Sequence, residues 1–174
     1  MTTIQTIPPD NPRRNLAVAK PNEDQNLPHI ALAGDTYTIL LSGESTAGRY
    51  CLIDMLVPPG GGPPPHRHDF EEMFAVSEGE IEVTFRGSQM ILRAGETANI
   101  PANAPHSFRN VSPRTARLLC FCSPAGVEEF FMAVGIPVAS RTTPSLQLDQ
   151  TAQDALKAKA EALAPRYRTE FLHP

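Results

Sequence analysis

Three of the five histidines in this 174-residue chain stand in two short windows. The first window runs Gly60-x5-His66-x-His68-x3-Glu72-x6-Gly79. The second runs Gly95-x5-Pro101-x-Asn103-x2-His106-x3-Asn110. On a strand, residues i and i+2 share a face, so His66 and His68 project together. Glu72 has the same parity and joins them if the strand runs on without a bulge. Glu71 has the opposite parity and faces outward; a bulge would exchange the two. His106 has to arrive from a second strand facing the same interior. Three neutral imidazoles and one carboxylate suit a divalent transition metal: Fe, Mn, Ni, Co, Cu or Zn. Four protein ligands on an octahedral ion leave two positions for substrate, water or dioxygen.

The elements that carry these residues read as short strands. Tyr37–Leu41, Tyr50–Val57, Phe70–Val76, Ile81–Phe85, Met90–Leu92, Thr97–Ile100, His106–Asn110 and Ala116–Cys122 are β-branched or apolar runs. Turn residues separate them, including Pro58-Pro59-Gly60-Gly61-Gly62-Pro63-Pro64-Pro65, which is incompatible with a helix or a central strand. Eighteen prolines and eleven glycines argue against a helical bundle and for a β-sandwich or small barrel. Before the strands lies an extended arm, residues 1–35, rich in Pro, Asn and Arg and without hydrophobic period. After them, residues 124–174 change character. Val127–Val134 is a short apolar helix, and Leu148, Ala152, Leu156, Ala160 and Leu163 keep helical spacing between an Asp149 N-cap and Pro165. Fifteen basic against nineteen acidic side chains give a formal charge of −4, which provides no general attraction to nucleic acid or anionic lipid. The longest apolar run, Phe130–Ala139, is interrupted by Gly135 and Pro137, so no membrane span is expected. The N-terminus lacks the apolar core of a secretory signal. Three cysteines, Cys51, Cys120 and Cys122, then suggest a reduced, cytoplasmic setting and buried packing.

The two windows resemble the two conserved motifs of the cupin superfamily. Residues 60–79 fit the first, G-x5-H-x-H-x3,4-E-x6-G, at every position. Residues 95–110 fit the second, G-x5-P-x-G-x2-H-x3-N, except that Asn103 stands for the glycine. Asn tolerates positive φ, so the turn survives the exchange. The resemblance implies an all-β fold, a single double-stranded β-helix (jelly-roll) barrel over residues 36–123, with the N-terminal arm and C-terminal helices outside it. It also implies one divalent metal held by His66, His68, Glu72 and His106. The short barrel, long arm and C-terminal helix are similar to monocupins grouped with bacterial quercetin 2,3-dioxygenases. That similarity implies a dioxygenase acting on a small aromatic or enol substrate, often as a homodimer.

An apolar pocket beside the metal follows from parity. Phe74 shares the face of Glu72, and Phe108 that of His106. Ile53 and Met55 line the same side from the preceding strand, while Phe121, Phe130 and Phe131 close the mouth. Such a lining suits a small organic ligand. In a dioxygenase, Glu72 would be the catalytic residue, accepting the substrate's hydroxyl proton while serving as ligand. The same donors would also serve a metal-dependent isomerase or lyase, or a non-catalytic small-ligand-binding cupin. Arg67 and Asp69 alternate outward beside the histidines.

Overall fold

The computed structural model describes residues 7–173; residues 1–6 of the expected arm and residue 174 lie outside the described residues. Sheet structure starts at β1 (His29–Leu32) and β2 (Asp35–Leu41), followed by the one-turn α1 (Gly43–Thr46). The strands β3 (Cys51–Val57), β4 (His66–His68), β5 (Glu71–Glu78), β6 (Glu80–Phe85), β7 (Ser88–Arg93), β8 (Thr97–Ile100), β9 (His106–Arg109) and β10 (Ala116–Ser123) come next. Then come α2 (Val127–Val134), β11 (Ile136–Pro137), α3 (Gln150–Leu163), a 3-10 turn over Ala164–Tyr167 and β12 (Thr169–Phe171).

The strands form two antiparallel sheets, ordered β11-β1-β2-β3-β10-β5-β8 and β12-β4-β9-β6-β7. This is a jelly-roll arrangement with the core between the sheets. Alternation builds it. Along β10, Ala116, Leu118, Cys120 and Cys122 are buried while the residues between them are partly exposed. Along β5, Glu72, Phe74 and Val76 turn inward. Each inner face meets the other across one continuous core that includes Ile53, Met55, Ile81, Val83 and Phe108.

The first motif departs from the continuous strand expected of it. The chain bends at Asp69-Phe70, so His66 and His68 lie in the five-stranded sheet and Glu72 in the seven-stranded one. Glu72 reaches the histidines from the opposite wall rather than along their own strand. Its inward parity survives the bend, while Glu71 stays outside and accepts hydrogen bonds from Asn99 Nδ2 (2.7 Å) and Ala102 N (3.1 Å).

Backbone contacts between the two motif loops fix β4 against β9. Gly60 N donates to Asn110 O at 2.7 Å, and Asn110 N donates to Gly61 O at 3.0 Å. Gly62 has φ +125°, and a Cβ there would collide with the Phe108 carbonyl. Only glycine admits both the conformation and the approach. Asn103 takes the left-handed region at φ +68°, and its amide donates to His68 O at 2.6 Å.

The C-terminal segment returns to the sheets. β12 pairs antiparallel with β4, setting Thr169 opposite His68 and Phe171 opposite His66. Arg67 Nε donates to Glu170 Oε2 at 2.7 Å along the same register. Helix α2 buries Val127, Phe130 and Val134. It is anchored by Glu128, which is 1% exposed and accepts from Gly43 N and Gly126 N, both at 2.7 Å. Helix α3 begins where Asp149 Oδ1 accepts from Ala152 N at 2.8 Å, and buries no residue of its own.

Beneath the glycine loop lies Asp35, 1% exposed, with Oδ1 lacking a hydrogen-bond partner among the described residues. The Tyr37 hydroxyl donates to Oδ2 at 3.1 Å. Burial pushes the Asp35 carboxyl up to about 8, the Tyr37 bond only partly opposing it. Below the ordinary carboxylate range both folded and unfolded chains keep this proton. Above it the unfolded chain releases the proton and the folded chain does not, so stability falls as pH rises until the folded group ionises. Asp35→Asn removes this titration and keeps an acceptor for Tyr37. Its stability relative to the parent chain is expected to rise between about pH 4 and about pH 8. Denaturant unfolding across that range checks it; a gap independent of pH would contradict the assignment.

Candidate metal centre

His66, His68, Glu72 and His106 converge, with one donor atom from each all lying within 4.8 Å of one another. Three of them come from the β4–β9 side and one from β5. His66 stands directly opposite His106 in the β4–β9 pair, and their rings are 4.2 Å apart. Glu72, His68 and His106 are buried, and His66 is half-buried.

Each imidazole is oriented from behind by a backbone carbonyl. The Nδ1 atoms of His66, His68 and His106 lie 2.9 Å from Pro64 O, Phe70 O and Ala104 O respectively. A carbonyl only accepts, so each Nδ1 carries the proton, and the neutral ring presents an Nε2 lone pair to the centre. His68 Nε2 and His106 Nε2 stand 3.2 Å and 3.0 Å from Glu72 Oε2. Lone pairs facing a carboxylate at those distances require a proton or a cation between them. Neighbouring ligands on an ion with bonds of about 2.1 Å are themselves about 3 Å apart, so the donor set fits a divalent metal.

The electrostatics of the metal-free donors agree. Burial favours a protonated Glu72, yet hydrogen bonds and charge from His106 and His68 outweigh it and hold the carboxyl well below its usual range. Burial likewise opposes a charged His106, but Glu72 prevails and raises it above the ordinary imidazole value. His66 does not touch the carboxylate. Burial, reinforced by the charge of His106, lowers it to about 4, so it is a neutral donor at physiological pH.

Behind Glu72 lies a contact that strand parity does not place. Cys122 is the cross-strand partner of Glu72, and Cys120 that of Phe74. Cys120 Sγ donates to Glu72 Oε1 at 3.3 Å, Cys122 Sγ lies 3.8 Å from the same oxygen, and the two sulfurs are 3.6 Å apart. Burial and the neighbouring Glu72 charge raise the Cys120 thiol to about 12, after allowance for a lowering bond from Cys122. Both groups are therefore thiols that donate, not thiolates. Oε1 is occupied by sulfur, and Oε2 is left to the histidines. The signal was the shared inward parity of Cys120, Cys122 and Glu72; the register that joins them is not written locally.

A small cavity of about 60 Å³ adjoins the donors. Met55, Phe74, Phe108, Phe130 and Phe131 line it. Ile53 is fully buried in the core and Phe121 stacks on Tyr50 at 5.1 Å, neither at the cavity. Phe121 lies on the outer face of β10 because Cys120 and Cys122 take the inner one. The lining also includes Tyr37, Thr169 and Phe171, which no sequence period signalled.

Residues 53–122, from β3 through β10, match the cupin domain family model. Quercetin 2,3-dioxygenase of Bacillus subtilis (strain 168) is 30% identical over 128 residues, which are 73% of this chain and 37% of that protein. Polyketide synthase CurC of Streptomyces cyaneus is 35% identical over 100 residues, 56% of this chain and 64% of that protein. The matched segment thus spans less than two thirds of either curated relative. Among solved structures, an RmlC-like cupin from Shewanella frigidimarina superposes with a TM-score of 0.56 at 19% identity, covering 67% of this chain and 97% of its own. A predicted oxalate decarboxylase from Thermotoga maritima gives 0.54 at 21% identity, covering 62% and 98%. These two likenesses establish the fold.

The thiol contact generates a direct expectation. Cys120→Ala frees Glu72 Oε1 and loosens the carboxylate. Removing such a supporting bond typically weakens metal binding by about 10–100-fold. Chelator-competition titration of the variant against the parent chain measures it. Equal affinity would assign Cys120 to packing alone.

Proposed function

Because this chain belongs to the cupin superfamily, we propose that it is a metal-dependent dioxygenase acting on a small aromatic or enol substrate. The observation that carries the reading is the convergence of three imidazole Nε2 atoms and Glu72 Oε2 beside an apolar cavity. The likeness to quercetin 2,3-dioxygenase supplies the reaction class. His66, His68, Glu72 and His106 would hold one divalent ion of the series Fe, Mn, Ni, Co, Cu or Zn. When bound, such an ion would polarise an oxygen of the substrate and, for the redox-active members of the series, supply the electronic contact with dioxygen.

The chain's own residues do the rest. Phe74 and Phe108, edge to face with centroids 5.1 Å apart, give the inner cavity an apolar wall beside the donors. Glu72 Oε2 accepts the substrate's hydroxyl proton, while Oε1 stays bonded to the Cys120 thiol. The backbone carbonyls behind His66, His68 and His106 keep the rings from turning during that transfer. In this reading the protein is a homodimer of the cytoplasm. Three buried cysteines without a disulfide accord with a reducing compartment, and among the described residues no helix is long and apolar enough to cross a membrane.

Oxygen uptake with quercetin tests the proposal, using protein loaded separately with each of the six metals. Turnover is expected with at least one metal and is lost in His66→Ala. Glu72→Gln that retains metal is expected to turn over about 100-fold or more slowly. No uptake with any metal, in protein shown by elemental analysis to be loaded, would remove the flavonol reaction. It would move the site to isomerase, lyase or ligand-binding chemistry.

A further inference from the structure

The cavity at the metal centre does not hold the substrate proposed for it. About 60 Å³ is room for roughly two water molecules. Pockets that enclose organic ligands run from about 300 to about 1,000 Å³. A flavonol has three rings, more than a space of that volume encloses.

A second cavity has the required size. Between α3 and the β1–β2 turn the structure opens a groove of about 740 Å³. Its walls are apolar, with Leu32, Leu146, Leu148, Leu156 and Ala160 contributing. Phe171 lines both this groove and the cavity at the metal centre. Its ring stands 6.5 Å from that of His66 and 6.5 Å from that of Phe130. Pro63 borders the inner cavity, and the next two residues, Pro64 and Pro65, border the groove. The two spaces are therefore neighbours with a shared aromatic wall, carried on β12 against the strand that bears His66 and His68.

Helix α3 makes the groove available. It is capped by Asp149, continues into the 3-10 turn, and rests on α2 through the half-buried Leu156, Ala160 and Leu163. None of its residues is fully buried, and Leu156 and Ala160 also line the groove. A packed core excludes such space, whereas a binding site needs it. The charged groups bordering the groove, Lys157 and Glu161, pair weakly with each other at 3.9 Å. Gln153 and His173 complete its polar rim.

We infer that the groove beneath α3 is the outer part of the substrate site, taking the apolar rings of a ligand whose oxygen end passes Phe171 to the metal centre. This rests on the dioxygenase reading and narrows it to ring compounds larger than the inner cavity. Substrates with a second apolar ring bind through the groove. A small anion that needs only the inner cavity does not use it.

Filling the groove without touching the donors tests this. Ala160→Trp fills it from α3, and Leu148→Trp from the segment before the helix. Co2+-loaded protein under nitrogen is used, so that no turnover occurs. Quercetin binding is read by equilibrium dialysis and azide binding by the visible Co2+ spectrum, with light scattering beside them. Both variants are expected to weaken quercetin by about tenfold or more and to leave azide affinity and the Co2+ spectrum unchanged. Quercetin affinity equal to the parent chain in both variants overturns the groove assignment while leaving the dioxygenase reading standing. Parent protein that binds azide but no quercetin overturns both. A parent dimer that becomes monomeric in both variants makes the groove a contact between two copies, and also overturns the assignment.

Discussion

A carboxylate buried beside Phe74, Phe108 and Met55 is largely shut off from bulk solvent. Left unpaired, a buried charge of that kind costs several kcal/mol even after relaxation. Glu72 is 6% exposed and meets this constraint with contacts on both oxygens. One faces two imidazoles and the other faces two thiols. The remaining architecture can be read as the means of keeping those partners in place. β9 and β4 bring the imidazoles from one sheet. β10 brings the sulfurs from the other, across from the carboxylate in register. The loops around Gly62 and Asn103 adopt unusual backbone conformations because they join strands that must lie this close. A divalent ion would complete the arrangement by supplying positive charge where lone pairs otherwise oppose each other.

Much of this was legible in the residues. Alternation told that His66, His68 and Glu72 turn inward and that Glu71 does not, because a period of two is a property of the strand alone. Turn chemistry told where strands stop, and Asp149 and Pro165 told where the long helix begins and ends. The bend at Asp69-Phe70 was not legible. Nothing in two residues states that the next strand belongs to the opposite sheet. The same holds for β12. Thr169-Glu170-Phe171 is too short to carry a period, and becomes a strand only because β4 presents a free edge to it. Tyr37, Thr169 and Phe171 reach the cavity through such long-range pairing. The inward side of Cys120 and Cys122 could be read; their contact with Glu72 depended on cross-strand register, which is set by the whole sheet.

The parts outside the motif-bearing strands are not passive. α2 brings Phe130 and Phe131 against the cavity because the buried Glu128 ties it to α1 through the Gly43 amide and holds its own N-terminus through Gly126 N. β12 adds Phe171 to the opposite wall. The inner cavity is therefore shaped as much by residues after 123 as by the sheets themselves.

The pairing of β12 with β4 also sets an order of assembly. All four donors have been made once the chain passes His106, but the strand that walls them off comes only with Phe171. At common synthesis rates of about 5–20 residues per second, an interval of several seconds separates the two. The wall that Thr169 and Phe171 give the cavity is therefore the last part of the site to be made, and it is placed by pairing with a strand synthesised about a hundred residues before it.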